Sequence, residues 1–149
     1  MVMNNFLQNM IDKHCEMLAE QRSKEMFTLG DFIRELEKYP KSWDVYIKPF
    51  HLIPLSFTSY RGYYSDLCLT YATRYEWLGN EDVTVGSLLK EAQKVNGKTL
   101  TGYKGGDFLM TEQTPIWVSD DDFSTGMAIA NIEEYFDGCV VINCYQRED

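Results

Sequence analysis

Histidine is scarce in this chain: 149 residues contain only His14 and His51. That shortage excludes a histidine-rich metal centre, and the spacings of Cys15, Cys68, Cys139 and Cys144 match no zinc signature. Basic residues are also few, 14 Lys and Arg against 23 Asp and Glu, a net charge of −9. Binding along a DNA or RNA backbone needs clustered cations, so a nucleic acid polymer is not an expected partner. No apolar run is long enough to span a bilayer, and no basic segment leads into an apolar signal at the N-terminus. A cytoplasmic location with reduced thiols is expected. Low-complexity segments and linkers are missing too, so one domain is the default at this length.

What is present includes two related segments. Phe27 to Lys38 and Val83 to Lys94 share Thr, Gly, Glu and Lys at four of twelve positions. Thr28 and Thr84 read as helix N-caps, although Asp31 and Ser87 replace the Glu or Gln of a full capping box. Leu29, Phe32, Ile33 and Leu36 recur at helical spacing, and Val85, Leu88, Leu89 and Ala92 repeat that stripe. A short strand-like run follows each helix, Trp43 to Ile47 and Pro115 to Ser119. The pattern suggests a duplicated helix-then-strand unit; chance likeness between capped amphipathic helices would give the same pattern.

Residues 4–24 read as an amphipathic helix with Phe6, Leu7, Met10, Ile11, Met17 and Leu18 on one face. His14 and Cys15 lie beside that face, and the histidine reads as packed structure. Further strands are expected over His51 to Tyr60, with Pro54 marking an edge or bulge, and over Asp66 to Ala72. Two more are expected over Gly126 to Ile132 and Cys139 to Tyr145, separated by a polar connection from Glu133 to Gly138. Arg74 to Asp82 reads as a polar connection into the second helix. The sum is an α+β fold: a largely antiparallel sheet with helices packed on one face and an internal helix-strand duplication. An extra N-terminal helix, residues 1–26, precedes a single ligand-binding domain, residues 27–149.

The longer connection in the second unit holds the most distinctive residues. Gly102, Gly105 and Gly106 lie within five positions around Lys104, flanked by Tyr103 and Phe108. Backbone N–H groups plus one mobile cation can cradle a phosphate. A plain hairpin whose Gly-Gly turn needs positive φ would use the same residues. The second cluster, Ser59 to Asp66, sets Arg61 among Tyr60, Tyr63 and Tyr64. Arginine offers a fork of donors to phosphate, and tyrosine rings can stack on a base. Equally, tyrosines can cover a sheet at a turn between strands. Together the two clusters supply anion donors, an aromatic platform and close backbone access. Trp117 stands where the glycine-rich loop returns. Ser124 to Gly126 read as a turn.

Enzymatic signatures are weak. Lys104 is followed by Gly105, so the Walker A ending is absent, and the dinucleotide glycine spacing fails. No nucleophile with a positioned base stands out. The run Asp120 to Asp122 reads as a solvated loop, with Mg²⁺ binding as the alternative. A nucleotide-modifying or nucleotide-hydrolysing enzyme and a protein-interaction module stay open as other readings.

The motifs Ser59-Tyr60-Arg61-Gly62-Tyr63-Tyr64, Lys98-Thr99-Leu100-Thr101-Gly102-Tyr103-Lys104-Gly105-Gly106-Asp107-Phe108 and Thr114-Pro115-Ile116-Trp117-Val118 resemble a family of small bacteriophage proteins, the first-described Thoeris anti-defence sponges. The resemblance runs from Phe27 to about Ile129, and Leu100 stands where many relatives carry an aromatic residue. It implies a non-enzymatic protein of the infected bacterial cytoplasm that sequesters a cyclic ADP-ribose-type signal, glycocyclic forms included, without cleaving it. It also implies symmetric homo-oligomers, separate sites for cyclic oligonucleotides in some members, and no cofactor or metal. By the same resemblance Arg61 and Lys104 would face the pyrophosphate, and Tyr60, Tyr64 or Tyr103 would pack on adenine or ribose. Gly105 and Gly106 would permit close approach, Asp107 would accept from a hydroxyl, and Thr101, Phe108 and Trp117 would complete the ligand-binding set.

Overall fold

The computed structural model describes residues 2–73, 76, 83–120 and 124–147. Helix α1 (Val2–Glu25) leads into α2 (Leu29–Leu36) and strands β1 (Asp44–Ile47), β2 (Ile53–Ser59) and β3 (Leu67–Ala72). Helix α3 (Val85–Val95) follows, then the hairpin β4 (Thr99–Thr101) and β5 (Asp107–Leu109), and strands β6 (Ile116–Ser119), β7 (Met127–Phe136) and β8 (Cys139–Gln146). Six strands form one sheet in the order β1-β8-β7-β6-β3-β2. Three pairings are antiparallel, and two, β1 with β8 and β3 with β6, are parallel. The fold is α+β, as expected.

Strands β3 and β6 bury both faces, which alternation explains. Leu67, Leu69, Ile116 and Val118 point into the main core with the apolar faces of α2 and α3. Cys68 and Trp117 point the other way, into a smaller cluster with Met26, Tyr60 and Ala128. The edge strand β2 takes Pro54 at a register shift, where a missing N–H costs no ladder bond. Strand β7 runs on to Phe136, through most of the segment read as a polar connection. Only Asp137 and Gly138 turn the chain, Gly138 having φ of +84°. Charges at Glu133 and Glu134 hid this strand because its outer face meets solvent. Most of the connection from Arg74 to Asp82 lies outside the described residues.

The duplication is visible in the hydrogen bonds. The Leu29 N–H donates to the Thr114 carbonyl, and the Val85 N–H donates to that of Trp43. Gly30 donates to Glu112, and Gly86 to Lys41; Ile116 donates to Phe27, and Val45 to Val83. Bridges Thr28–Pro115 and Asp44–Thr84 complete the correspondence. Each unit's helix start thus binds the entrance of the other unit's strand. Helix positions differ by 56 between units (28 to 84) and strand positions by 71 (45 to 116), the excess being the β4–β5 insertion. Both caps are reciprocal: Thr28 with Asp31, and Thr84 with Ser87. Aspartate and serine reach the cap N–H as glutamate would, which the motif with Glu or Gln did not cover. The shared glycine has a packing cause. A Cβ on Gly30 would lie 3.0 Å from the Glu112 carbonyl oxygen, and one on Gly86 would lie 3.2 Å from that of Lys41.

Helix α1 is exposed from Asn5 to Leu18, His14 and Cys15 included. His14 is therefore not packed structure: the body touches only the C-terminal part of α1, so no core reaches it. Among the described residues no helix is long and apolar enough to cross a membrane.

Candidate functional site

The turn between β2 and β3 is tightly bonded. The Tyr60 N–H donates to the Asp66 carbonyl, the Asp66 N–H to the Tyr63 carbonyl, and the Ser59 hydroxyl to the Tyr64 carbonyl. Tyr60 stacks on Trp117 at 4.7 Å between ring centroids and 4° between planes, and Tyr63 leans on the same indole at 5.7 Å. Both Tyr60 and Trp117 are only 1% exposed. The Tyr60 hydroxyl accepts from the Gly126 N–H at 2.8 Å, and burial pushes its ionisation above the usual tyrosine range. The Trp117 indole N–H donates to Asp66 at 2.9 Å. These two rings form the floor under the turn, and a cavity of about 280 Å³ lies against them, lined also by Gly62, Tyr63, Ser124, Gly126 and Arg147.

A charged pair holds that floor, and one member had no motif to announce it. Arg22, from the last turns of α1, bonds Asp66 through Nε at 2.7 Å, with side chains 7% and 2% exposed. Its guanidinium lies 3.9 Å from the centre of the Tyr63 ring. Basic residues in a final helical turn are common, so nothing local distinguished Arg22 from its solvated neighbour Lys24.

The inserted hairpin meets this turn from the other unit. Strands β4 and β5 pair Leu100 with Phe108 and Thr101 with Asp107. Leu100 and Phe108 pack on the main core, while the Thr101 hydroxyl donates to Asp107 at 3.3 Å. At the tip, the Gly105 N–H donates to the Gly102 carbonyl and the Gly102 N–H to the Gly106 carbonyl. Gly105 and Gly106 have φ of +95° and +84°. The tip is a glycine hairpin turn, and its exposed crest carries Tyr103 and Lys104.

Contact between the segments is direct. The Arg61 guanidinium lies 3.6 Å from the centre of the Tyr103 ring, and Tyr64 faces Phe108 at 6.3 Å between centroids. A Cβ on Gly102 would sit 3.1 Å from Cβ of Tyr64 and 3.0 Å from the Phe108 ring, so the approach needs glycine there. The structure thus brings together Arg61, Tyr64, Tyr103 and Phe108, with Lys104, Gly105, Gly106, Thr101 and Asp107 exposed on the same hairpin. Tyr60 and Trp117 lie in the buried floor and do not reach the crest. Chemically, the patch sets a guanidinium on an aromatic ring, and guanidinium is a group suited to phosphate and carboxylate recognition.

Among the described residues no three His, Cys, Asp or Glu side chains are placed to share a metal ion. Asp120 is exposed, and Asp121 and Asp122 lie outside the described residues. Cys68 is buried, and Cys139 and Cys144 are partly so. Burial pushes the Cys144 thiol up to about 12, unsuited to nucleophilic use near neutral pH. Compared with known family models, with curated proteins and with solved structures, the chain matches none.

Proposed function

We propose that the protein is a bacteriophage anti-defence sponge that binds a cyclic ADP-ribose-type signal and holds it intact. The observation that carries this reading is the Arg61 guanidinium seated on Tyr103, beside Lys104 and the glycine crest. Arg61 thus meets a hairpin that carries a second cation, Lys104, 43 positions further along an acidic chain. A cyclic ADP-ribose-type signal presents a pyrophosphate, two riboses and a base. Arg61 and Lys104 would take the pyrophosphate, Tyr103 and Tyr64 the base or ribose, and Asp107 a ribose hydroxyl.

Energetically the set supplies part of what tight sequestration needs. Two or three charge-assisted hydrogen bonds contribute about 1.5–3 kcal/mol each. One stacked base contributes about 1–3 kcal/mol. A nanomolar complex needs about 12 kcal/mol net, so burial of the ligand must add the rest. An exposed crest buries little by itself. A homo-oligomer in which a second copy covers the crest would meet this need, and the uncovered apolar face of α1 (Phe6, Leu7, Met10, Ile11) favours self-association.

The test is incubation of the full chain with cyclic ADP-ribose isomers, followed by heat denaturation. Depletion of free ligand and its return as the unchanged molecule are expected. A cleaved product would establish a hydrolase, and absence of any depletion would remove the nucleotide reading altogether.

A further inference from the structure

The internal repeat that sets one turn-and-loop cavity over Tyr60 and Trp117 sets another elsewhere, which the proposed function does not use. The first cavity lies between the β2–β3 turn and the β6–β7 loop. Its counterpart lies between the end of β7, strand β8 and the β1–β2 loop, with a volume of about 490 Å³. Lys48, Pro49, His51, Tyr135, Asn143 and Cys144 line it.

Its chemistry is specific. Lys48 Nζ sits 3.6 Å from the centre of the Tyr135 ring. The His51 ring stands between two tyrosines, 5.9 Å from Tyr46 and 6.2 Å from Tyr135. His51 is also the one residue other than glycine, among the described residues, with a positive φ, +51°. A left-handed conformation at a non-glycine residue is uncommon, and such residues concentrate at functional sites. Asn143 donates both amide N–H bonds, to Asn131 at 2.7 Å and to Glu133 at 2.8 Å. Its Oδ1 is what it can offer a ligand, and Glu133 is engaged by the same amide.

We infer that this cavity is a second small-molecule site, taking a flat aromatic or heteroaromatic anion. The anionic group is met by Lys48, the ring lies against Tyr135 and His51, and an N–H of the ligand is accepted by Asn143 Oδ1. A ring phosphate ester and a ring carboxylate share this chemistry. The inference stands on the internal symmetry and on this lining, independently of the crest around Arg61.

Titration calorimetry of the full chain with 5′-AMP and, separately, indole-3-acetate tests it. In an Arg61→Ala background, saturable binding of at least one probe is expected, weakened at least tenfold by adding Lys48→Met or Tyr135→Leu and unchanged by adding Lys90→Ala, an exposed position on α3. Binding of 5′-AMP alone supports the site and selects phosphate; binding of indole-3-acetate alone supports it and selects carboxylate. Both Lys48 and Tyr135 are solvent-accessible, and thermal melts will show that the variants keep the fold. No saturable binding of either probe at millimolar concentration overturns the inference. So does binding that Lys48→Met and Tyr135→Leu both leave intact.

Discussion

Replacing Arg22 by methionine isolates the pair that holds the floor of the candidate site. Methionine keeps most of the apolar stem and removes the guanidinium. Asp66, 2% exposed, then keeps the Trp117 indole N–H at 2.9 Å but loses both guanidinium donors, at 2.7 and 3.4 Å. Removing one partner of a buried pair costs about 3–5 kcal/mol, because a charge is left uncompensated. A surface pair would cost only about 0–1 kcal/mol. The burial of both side chains selects the larger figure. Loss of the cation over Tyr63 is contained in that figure and is not added to it. Urea denaturation followed by tryptophan fluorescence is the assay. With a slope near ~2 kcal/mol per molar, the midpoint should fall by roughly 1.5–2.5 M. Adding Asp66→Asn should recover part of the loss, since a neutral amide still accepts from the indole. The coupling between the two positions should exceed ~1.5 kcal/mol. A loss below ~1 kcal/mol for Arg22→Met, or strict additivity in the double variant, would refute the argument that this pair is buried and interdependent.

Three further outcomes are expected. Gly102→Ala should push the hairpin off the turn through the contacts with Phe108 and Tyr64, and lower affinity for the cyclic ADP-ribose-type signal at least tenfold in a thermal-shift titration. Gly30→Ala and Gly86→Ala should each destabilise the protein, by about 1–3 kcal/mol of crowding against roughly 1 kcal/mol gained in helix propensity. Gly30 should suffer more in urea melts, because its new Cβ meets a backbone carbonyl at 3.0 Å rather than 3.2 Å. Cys144, held at about 12 against 9.0 for an unperturbed thiol, should resist iodoacetamide at pH 8 while exposed Cys15 is labelled. Its folded value lies above the unfolded one, so its contribution to stability is complete below about pH 9 and lost as pH rises toward 12. Cys144→Ala should lose less stability over that range.

Local signals were legible wherever one residue type had one use. Thr28 and Thr84 opened helices, Pro54 sat on an edge strand, alternation located β3, and a short strand-like run after the second helix located β6. The shared Thr-x-Gly pattern marked two units with matching hydrogen bonds, although the reason for its glycine lies across the molecule, in the other unit's chain. Signals failed where one residue type serves two ends. Tyr60 and Tyr103 looked alike as ring donors, yet one is 1% exposed and the other 65%. Arg22 and Arg61 are both seated on tyrosine rings, and only the fold assigns one to a buried carboxylate and the other to an exposed crest.

The chain's own order determines its α+β class, its two capped helices and the glycine hairpin. Those follow from backbone preference and short-range periodicity, which act within a few residues. Pairing of β1 with β8 and of β3 with β6, the stacking of Tyr60 on Trp117, and the meeting of Arg61 with Tyr103 were decided only in three dimensions. Each joins residues more than 40 positions apart, and burial of both faces of β3 and β6, rather than any local preference, selects that arrangement.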